Sequence, residues 1–491
     1  MDQRFAGQHI EILQKIARQA MFDRGFLPDF SEKALKELEG LTASPSKMGD
    51  KARDVRDLLW CSIDNDDSRD LDQLTVAKAL DDNSVKIFVA VADVDIMVGK
   101  GRAIDGHARH NTTSIYTSAE VFSMLPERLS TDLTSLNPGE DRPAVVVEMI
   151  IGDDGRCQRS EIYRAVVRSH AKLAYNALAL WLEGNGPMPE AVHAANGLEE
   201  NLRIQDQVAQ RLRALRYEHG ALNLETVEAR PVFDGGEIRE LRVDRKNRAK
   251  DLIEDFMIAA NSETATYLES LNFPSIRRVV HAPKRWDRIV KLVSEYGYQL
   301  PDQPDSTALE NFLVKQRTAD PLRFHDLSQM IIKLIGRGEY AAEYPGEKPE
   351  GHFGLAVRHY THSTAPNRRF PDLITQRLLK AAMDGSPAPY GRYELNELAQ
   401  HCTAKEDDAN KVERLVRKSA AALLLSSRIG EQFEAVVTGA APKGTWVRIL
   451  HQPIEGKLVE GFEGVDVGDR VMVKLVHTDV MKGFIDFKRV D

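Results

Sequence analysis

The chain has 491 residues, about three domains of ordinary size, and its 42% hydrophobic and 29% charged content is that of a globular protein. No apolar run approaches the roughly 18 residues of a membrane span and no signal-type segment opens the chain, so we expect a cytoplasmic protein without a membrane partner. Three scattered cysteines exclude a disulfide framework and a four-thiolate zinc site, and a formal charge of -9 argues against a uniformly basic nucleic-acid surface.

The first 48 residues have the pattern of a small helical unit. Ile10, Leu13 and Ala17 follow helical spacing, and Ser31 is a suitable cap for a second helix. The stretch over 42–50 has the composition of a linker. We therefore place a first domain at 1–48, with a helix-turn-helix as one form that it could take.

Between residues 49 and 428, strand and helix patterns alternate without a repeat. Apolar β-branched runs over 58–64, 85–94 and 144–152 predict strands. Helical spacing recurs in segments spread along the region: 172–183, 196–217, 246–270, 285–297, 372–384 and 406–428. This order predicts an α+β protein whose main domain, 49–428, is a large mixed α/β unit rather than a regular doubly wound sheet.

The last segment, 429–491, changes to short alternating strands separated by glycine-centred turns. Five such strands in about sixty residues predict a small β-barrel of the OB type. Phe433, Trp446 and His451 could line a base-stacking face on this barrel. Positions in the barrel core are the alternative for Phe433 and for Trp446.

The densest chemical signal is a run of six aspartates between residues 57 and 72. Asp64 ends an apolar strand, and Asp70 and Asp72 follow a tight turn that folds the chain back, so three carboxylates can converge at one strand end. Grouped carboxylates repel one another, and a hard cation with oxygen ligands relieves the repulsion. The pattern predicts a site for Mg²⁺, or for Mn²⁺, that serves phosphoryl chemistry. A solvated acidic turn and a non-catalytic Ca²⁺ loop are the alternatives.

A second signal is a pair of arginines, Arg368 and Arg369, directly before a helix that is predicted to begin near Pro371. Cations are unfavourable at the positive end of a helix dipole, and a phosphate bound there would reverse that sign. The pair therefore predicts a phosphate site, unless both arginines pair with nearby acids or face water. No G-x-x-x-x-G-K-[ST] loop occurs, so we expect no ATP dependence.

Five spaced motifs follow one another along the chain. They are Ile63-Asp64 with Asp70-Leu71-Asp72, Met124–Ser130 with Ser135–Gly139, Ile253–Asn261, Thr364–Asp372, and Val412-Glu413-Arg414. Through these motifs the chain resembles the RNase II family of 3'-to-5' exoribonucleases from about residue 57 to its C-terminus. The resemblance implies an RNB-type catalytic domain followed by an S1 domain, which is the OB-type barrel described above.

The resemblance also implies roles by position. Asp64, Asp70 and Asp72 correspond to metal-binding carboxylates, and Arg368 corresponds to the arginine that clamps the scissile phosphate. The implied activity is metal-assisted hydrolysis of single-stranded RNA, in which a monomer releases 5'-nucleoside monophosphates processively from the 3' end. Because 1–48 is too short for the paired cold-shock barrels of the family, structured RNA with a 3' overhang is a further expected substrate.

Several other residues correspond to positions that contact RNA in this family. Tyr116 corresponds to the aromatic residue that stacks near the 3' end and sets the smallest product, and Glu413 to an acid at the end of the substrate. Tyr175 and Glu254 correspond to residues that hold the terminal nucleotides and sense the ribose. Arg369 is expected to contact RNA beside Arg368.

One departure from the family pattern keeps a different class of function open. Gln73 stands where the family has a fourth aspartate, and an amide carries no charge and cannot act as a base. The alternative is therefore an RNA-binding protein with a degenerate nuclease site.

The distribution of charge changes the meaning of the overall value of -9. Residues 57–72 hold six acids against one base, whereas 242–250, 277–288 and 358–380 each hold five bases against one acid. A basic RNA path around an acidic centre is compatible with a net negative chain.

Overall fold

The computed structural model describes residues 9–42, 52–225, 228–441, 444–450 and 452–490. Its strands, in chain order, are β1 (Arg53–Asp54), β2 (Cys61–Asp64), β3 (Gln73–Ala79), β4 (Val85–Ala92), β5 (Ile115–Tyr116), β6 (Val121–Phe122), β7 (Asp141–Ile151), β8 (Cys157–Arg168), β9 (Ala171–Ala174), β10 (Glu228–Asp234), β11 (Glu237–Asp244), β12 (Ser275–Val279), β13 (Glu339–Glu343), β14 (Gln432–Ala441), β15 (Gly444–Ile449), β16 (Glu455–Glu460), β17 (Arg470–Asp479) and β18 (Phe484–Arg489). Its α-helices are α1 (His9–Asp23), α2 (Glu32–Glu39), α3 (Ala103–Asn111), α4 (Tyr175–Leu182), α5 (Glu190–Ala194), α6 (Leu198–Glu218), α7 (Arg248–Ser270), α8 (Trp286–Glu295), α9 (Ser306–Ala319), α10 (Pro321–Ile335), α11 (Phe370–Met383) and α12 (Arg392–Leu425).

A seven-stranded mixed sheet organises the large domain, with strand order β1-β8-β7-β4-β3-β2-β9. The pairs β1/β8 and β2/β9 are parallel, and the remaining neighbours are antiparallel. The β-branched and aliphatic residues of β4 and β7 are buried almost throughout, because helices cover the sheet. The strands predicted at 58–64, 85–94 and 144–152 are β2, β4 and β7.

The sheet brings the end of β2 and the start of β3 to one edge. Because β2 and β3 are antiparallel, the intervening loop carries Asp70 and Asp72 back toward Asp64. The second segment at this edge is α11, which is buried over Phe370–Leu379 and begins with Pro371 in its first turn. Gln376 of α11 donates a hydrogen bond to the carbonyl oxygen of Ala92, so the helix is anchored to the end of β4.

The long helix α12 connects the large domain to the barrel and also receives the N-terminal segment. Leu13 and Met21 of α1 pack with Val412 and Val416 of α12 in one buried cluster. The helix α2 lies elsewhere, with Ala34 in the core of the large domain. The two helices expected within 1–48 are therefore present among the described residues 9–42, but they belong to different cores, unlike a helix-turn-helix unit with a core of its own. Most of the expected linker lies outside the described residues.

We expect Leu13→Ala to destabilise the packing of α1 on α12. Removing a buried leucine side chain costs about 2–5 kcal/mol, and Leu13 is fully buried. The measurement is hydrogen exchange of the α12 amides between residues 409 and 423, which should speed up. The control is Phe22→Ala on the same helix, where the ring is largely exposed. Equal exchange in both variants would contradict the docked arrangement.

The C-terminal strands close into a barrel of order β14-β15-β16-β18-β17. The α+β class and the OB-type barrel predicted from the sequence are thereby confirmed. Phe433 lies in the barrel core against Phe487, with ring centroids 6.2 Å apart, so its expected place on a stacking face is wrong and the core alternative holds. Trp446 is only partly buried, between the inward-facing Thr445 and Val447. His451 lies outside the described residues.

Candidate active site

The loop between β2 and β3 places Asp64 and Asp72 on either side of a turn. Asp64 is the last residue of β2, and its Oδ1 accepts hydrogen bonds from the backbone N–H of Asn65 (2.7 Å) and the hydroxyl of Ser68 (3.0 Å). Through these two hydrogen bonds the Asp64 side chain stabilises the turn that follows it, as aspartate side chains often do. Burial raises the pKa of Asp64, although both hydrogen bonds oppose the shift.

Asp72 is the most buried of the three predicted ligands, with 2% of its surface exposed. Its Oδ1 accepts a hydrogen bond from the backbone N–H of Asn367 (3.0 Å), and its Oδ2 accepts one from Nε of Arg368 (3.2 Å). Burial raises the pKa of Asp72 to about 7, even though Arg368 acts in the opposite direction. The site thus contains a buried carboxyl group with one cationic partner.

Asp70 is linked to the predicted stacking residue. The Tyr116 hydroxyl donates a hydrogen bond to Oδ2 of Asp70 (2.9 Å), and the Tyr116 backbone N–H donates one to Oε1 of Glu413 on α12 (2.9 Å). Burial of the hydroxyl end raises the pKa of Tyr116. The residue remains 43% exposed, so the ring is accessible beside the carboxylates.

The segment before α11 holds Arg368 in place through its backbone and neighbours. The Ser114 N–H donates to the Arg368 carbonyl oxygen (2.9 Å), and the Thr134 hydroxyl donates to Oδ1 of Asn367 (2.5 Å). Asp372, fully buried in the first turn of α11, accepts from the Ala365 N–H (2.8 Å). With this support, the Arg368 side chain is 40% exposed while its Nε contacts Asp72, so its terminal nitrogens can reach a ligand.

Arg369 has a different environment from that of Arg368. Its Nη2 lies 2.7 Å from Oδ1 of Asp372, and this carboxylate has no exposed surface. The structure therefore shows that Arg369 pairs with a nearby acid, and its contact with RNA stays a prediction. The pair closes the first turn of α11.

Sequence reasoning assigned no role to two residues that support this segment. Asn261 of α7 is buried, and its Oδ1 accepts from both the backbone N–H (2.9 Å) and the hydroxyl (2.8 Å) of Ser363. Asp372 holds Ala365 and Arg369. Asn261 could have been noticed in the sequence as an amide within the apolar stripe of a helix. A buried amide has to find hydrogen-bond partners, so such a position indicates a structural role.

Tyr175 and Glu254 lie on adjoining elements at the side of the aspartates. Tyr175 begins α4 directly after β9, where Ala174 pairs with Asp64 of β2. Burial raises the pKa of Tyr175, and the negative charge of the Asp64 carboxylate raises it further. Glu254 is exposed on α7 and pairs with Nζ of Lys246 at 2.6 Å. The structure places Tyr175 beside Asp64, whereas Glu254 makes no contact with the three aspartates.

The donor set fits a hard divalent cation. Three carboxylates of graded burial offer only oxygen ligands, which Mg²⁺ and Mn²⁺ prefer. Their oxygens are not all within 4.8 Å of one another, and Asp70 and Asp72 accept hydrogen bonds from Tyr116 and Arg368. Within the described ranges, only one set of three residues has ligand atoms that all lie within 4.8 Å of one another. It consists of His281, Glu339 and Glu350, all exposed.

The family of the chain follows from matched domain models. Residues 52–385 match the RNB domain, and residues 431–490 match the RNase II-type exonuclease C-terminal S1 domain. The sheet with its acidic edge, the arginine before α11 and the closed barrel define a two-module protein of this class. The chain therefore belongs to the RNB-domain family, and the resemblance inferred from its motifs is confirmed. Among the described helices, none is long and apolar enough to cross a membrane.

Individual relatives agree with this assignment. Ribonuclease R of Aquifex aeolicus is 30% identical over 433 residues, which cover 87% of this chain and 60% of that protein. Mycoplasma genitalium RNase R in complex with ribose methylated single-stranded RNA has a TM-score of 0.87 and 23% identity, covering 98% of this chain and 78% of that one. The same RNase R in complex with double-stranded RNA has a TM-score of 0.86 at 23% identity, covering 98% and 84%. The chain spans about six-tenths of the length of the curated relatives it matches.

Proposed function

We propose that this protein is a 3'-to-5' exoribonuclease that hydrolyses RNA processively to 5'-nucleoside monophosphates. The observation that carries the proposal is the contact between buried Asp72 and partly exposed Arg368, beside Asp64 and Asp70, in an RNB-domain chain. A carboxylate group for a cation and an arginine for a phosphate lie at one sheet edge. Metal-assisted phosphodiester hydrolysis can use this combination.

The roles of the individual residues in hydrolysis follow from their positions. Asp64, Asp70 and Asp72 would hold Mg²⁺ or Mn²⁺, which would supply Lewis acidity and make water a better nucleophile. Arg368 keeps Nε on Asp72 and directs its terminal N–H groups to the phosphate, where they stabilise the charge that develops as water attacks phosphorus. The phosphorus–O3' bond breaks, the released nucleotide keeps its 5'-phosphate, and the shortened strand retains a 3'-hydroxyl.

The substrate end is positioned by side chains around the aspartates. The exposed Tyr116 ring stacks on a base near the 3' end, and Tyr175 and Glu254 contact the terminal riboses. Glu413 contacts the end of the substrate and also accepts a hydrogen bond from the backbone N–H of Tyr116. Trp446 offers a further stacking surface on the barrel. Single-stranded RNA is the proposed substrate, a 3' overhang leads structured RNA into the site, and the protein acts as a cytoplasmic monomer.

The proposal is tested by incubating the protein with a 5'-labelled single strand, with Mg²⁺ or with EDTA, and resolving the products by length. We expect the full-length strand to be converted to a short limit product with few intermediate lengths, as processive hydrolysis implies, unlabelled 5'-monophosphates to be detected separately by chromatography, and no turnover in EDTA. A duplex with a 3' overhang and a blunt duplex form the second arm. RNA binding without release of mononucleotides would overturn the proposal in favour of the degenerate site suggested by Gln73.

A substitution at Tyr116 tests the stacking role. We expect Tyr116→Ala to weaken RNA binding by about 1–3 kcal/mol and to lengthen the limit product, because a base loses its aromatic neighbour. Tyr116→Phe removes only the hydrogen bond to Asp70, so its RNA affinity should stay close to that of the unmodified protein. Affinities are measured by fluorescence anisotropy in EDTA. Equal losses in both variants would assign the effect to the hydroxyl group instead of the ring.

A further inference from the structure

Lys246, the residue before the cap of α7, lies between two carboxylates of that helix. Its Nζ is 2.6 Å from Oε2 of Glu254 and 3.1 Å from Oδ1 of Asp251. The two acids are three residues apart, so they share one face of the helix. Burial lowers the pKa of Lys246, but both carboxylates act against it and the net shift is upward. Lys246 is therefore a permanent cation at neutral pH.

Ion pairs with arginines of the neighbouring helix α6 hold Asp251 in place on the side toward the protein interior. Oδ2 of Asp251 accepts from Nη1 of Arg213 (2.8 Å), and Nη2 of Arg213 donates to Oδ2 of Asp255 (2.7 Å). Arg216 also pairs with the buried Asp255. The alternating charges run outward from the protein interior through Asp251 and Lys246 to Glu254. Glu254 is the exposed end of the network, with 43% of its side chain accessible.

The start of α7 lies against the start of α4, next to Tyr175 of the proposed active site. Asn247, which caps α7, donates from Nδ2 to Oδ1 of Asn176 (3.0 Å), and Asn176 follows Tyr175 in the first turn of α4. Only one oxygen of Glu254, Oε2, is used by Lys246. The other, Oε1, makes no hydrogen bond with any residue in the described part of the chain, and it can accept from a ligand hydroxyl.

We propose that Lys246 is a positioning residue that orients Glu254 toward the ribose 2'-hydroxyl and so contributes to the selection of RNA over DNA. The inference rests on the proposed function, since it deepens the substrate specificity of the same site. A carboxylate beside a polyanion is repelled, and the Lys246 cation offsets that repulsion while its contact limits the rotation of Glu254. A site that uses a hydrogen bond to a substrate hydroxyl discriminates against the analogue that lacks it.

The test compares Lys246→Met with Lys246→Arg. Affinities for a 12-residue RNA and for DNA of the same sequence are measured by fluorescence anisotropy in EDTA. Loss of an oriented charged hydrogen bond should reduce the RNA-over-DNA affinity ratio by about tenfold in Lys246→Met. Lys246→Arg should retain most of the ratio, because arginine can still bridge both acids. Arg239→Met is the matched control, since Arg239 pairs with Asp234 on the β10–β11 hairpin, away from Glu254.

Glu254→Gln provides the independent readout. Its ratio should fall as in Lys246→Met, and the double variant should show no further fall, because the two residues act as one unit. Equal weakening of RNA and DNA binding in Lys246→Met, or an additive double variant, would overturn the inference. Because binding in EDTA needs no turnover, a chain that fails the exonuclease assay would refute the proposed activity, and the affinity ratio would still decide the role of Lys246.

Discussion

Asp72→Asn is expected to reduce the rate of RNA hydrolysis by about 10³-fold or more, because a proposed cation ligand loses its charge at the centre of the site. Asp72 receives a different donor on each oxygen, the Asn367 N–H on one and Arg368 Nε on the other. Asparagine offers one acceptor oxygen and turns an NH₂ group toward one of those donors. The substitution therefore disturbs both the charge and the hold on Arg368.

The measurement for Asp72 separates chemistry from binding. Initial rates in Mg²⁺ should fall by the factor given above, while RNA affinity in EDTA should remain close to that of the unmodified protein, since the Asp72 side chain is buried. Asp153→Asn serves as the control, because Asp153 is an exposed surface residue paired with Arg211. Near-unchanged rates in Asp72→Asn would remove Asp72 from the proposed metal site.

Arg368→Met is expected to lower kcat by about 10²–10³-fold, which is the usual cost of removing one donor from developing transition-state charge. Arg368→Lys should recover little of this loss, because a lysine ammonium lacks the planar fork that can hold Asp72 and a phosphate together. Single-turnover rates measure the effect on the chemical step. Recovery of most activity by lysine would show that only a positive charge is needed.

The adjacent arginine provides the contrast for this prediction. Arg369→Met leaves the fully buried Asp372 without its ion-pair partner, so its main effect should be a lower thermal unfolding midpoint. Arg368→Met also leaves a buried acid, Asp72, without its cation, but Asp72 keeps the hydrogen bond from the Asn367 N–H and, with its pKa raised to about 7, can take up a proton, so the midpoint should change less. If Arg369→Met slows hydrolysis without changing the midpoint, the RNA contact first expected for Arg369 would be supported.

Local chemistry made several elements of the fold predictable. The β-branched runs became strands β2, β4 and β7, and the Ser31 hydroxyl accepts from the Ala34 N–H as a helix cap does. The helix expected over 406–428 is the second half of the longer α12. Its first half also has helical spacing, with Leu395, Leu398, Ala399 and Cys402 buried along one face, and this part of the helix was missed in the sequence.

Charge counted along the chain was a poorer guide to the surface. Of the basic residues in 277–288, Arg277 pairs with Glu343 and Arg278 with Glu406, and in 358–380 Arg377 is buried against Asp95 and Asp105. These cations stabilise the interior of the domain and contribute little to a basic path. A linear count cannot detect this, since the partner acids lie 66 to 282 residues away along the chain.

By itself, the amino-acid sequence determined the kinds of groups in the site and their local placement: carboxylates after a strand, arginines before a helix, and alternating strands that close a barrel. Only the tertiary structure decided which partners these side chains contact and which of them are buried. Arg368 reaches Asp72 across almost 300 residues, whereas Arg369 turns inward to Asp372, and Phe433 points into the barrel core. The physical reason is that spacing specifies which side chains share a face, while burial and partner charge depend on the segments that pack against that face.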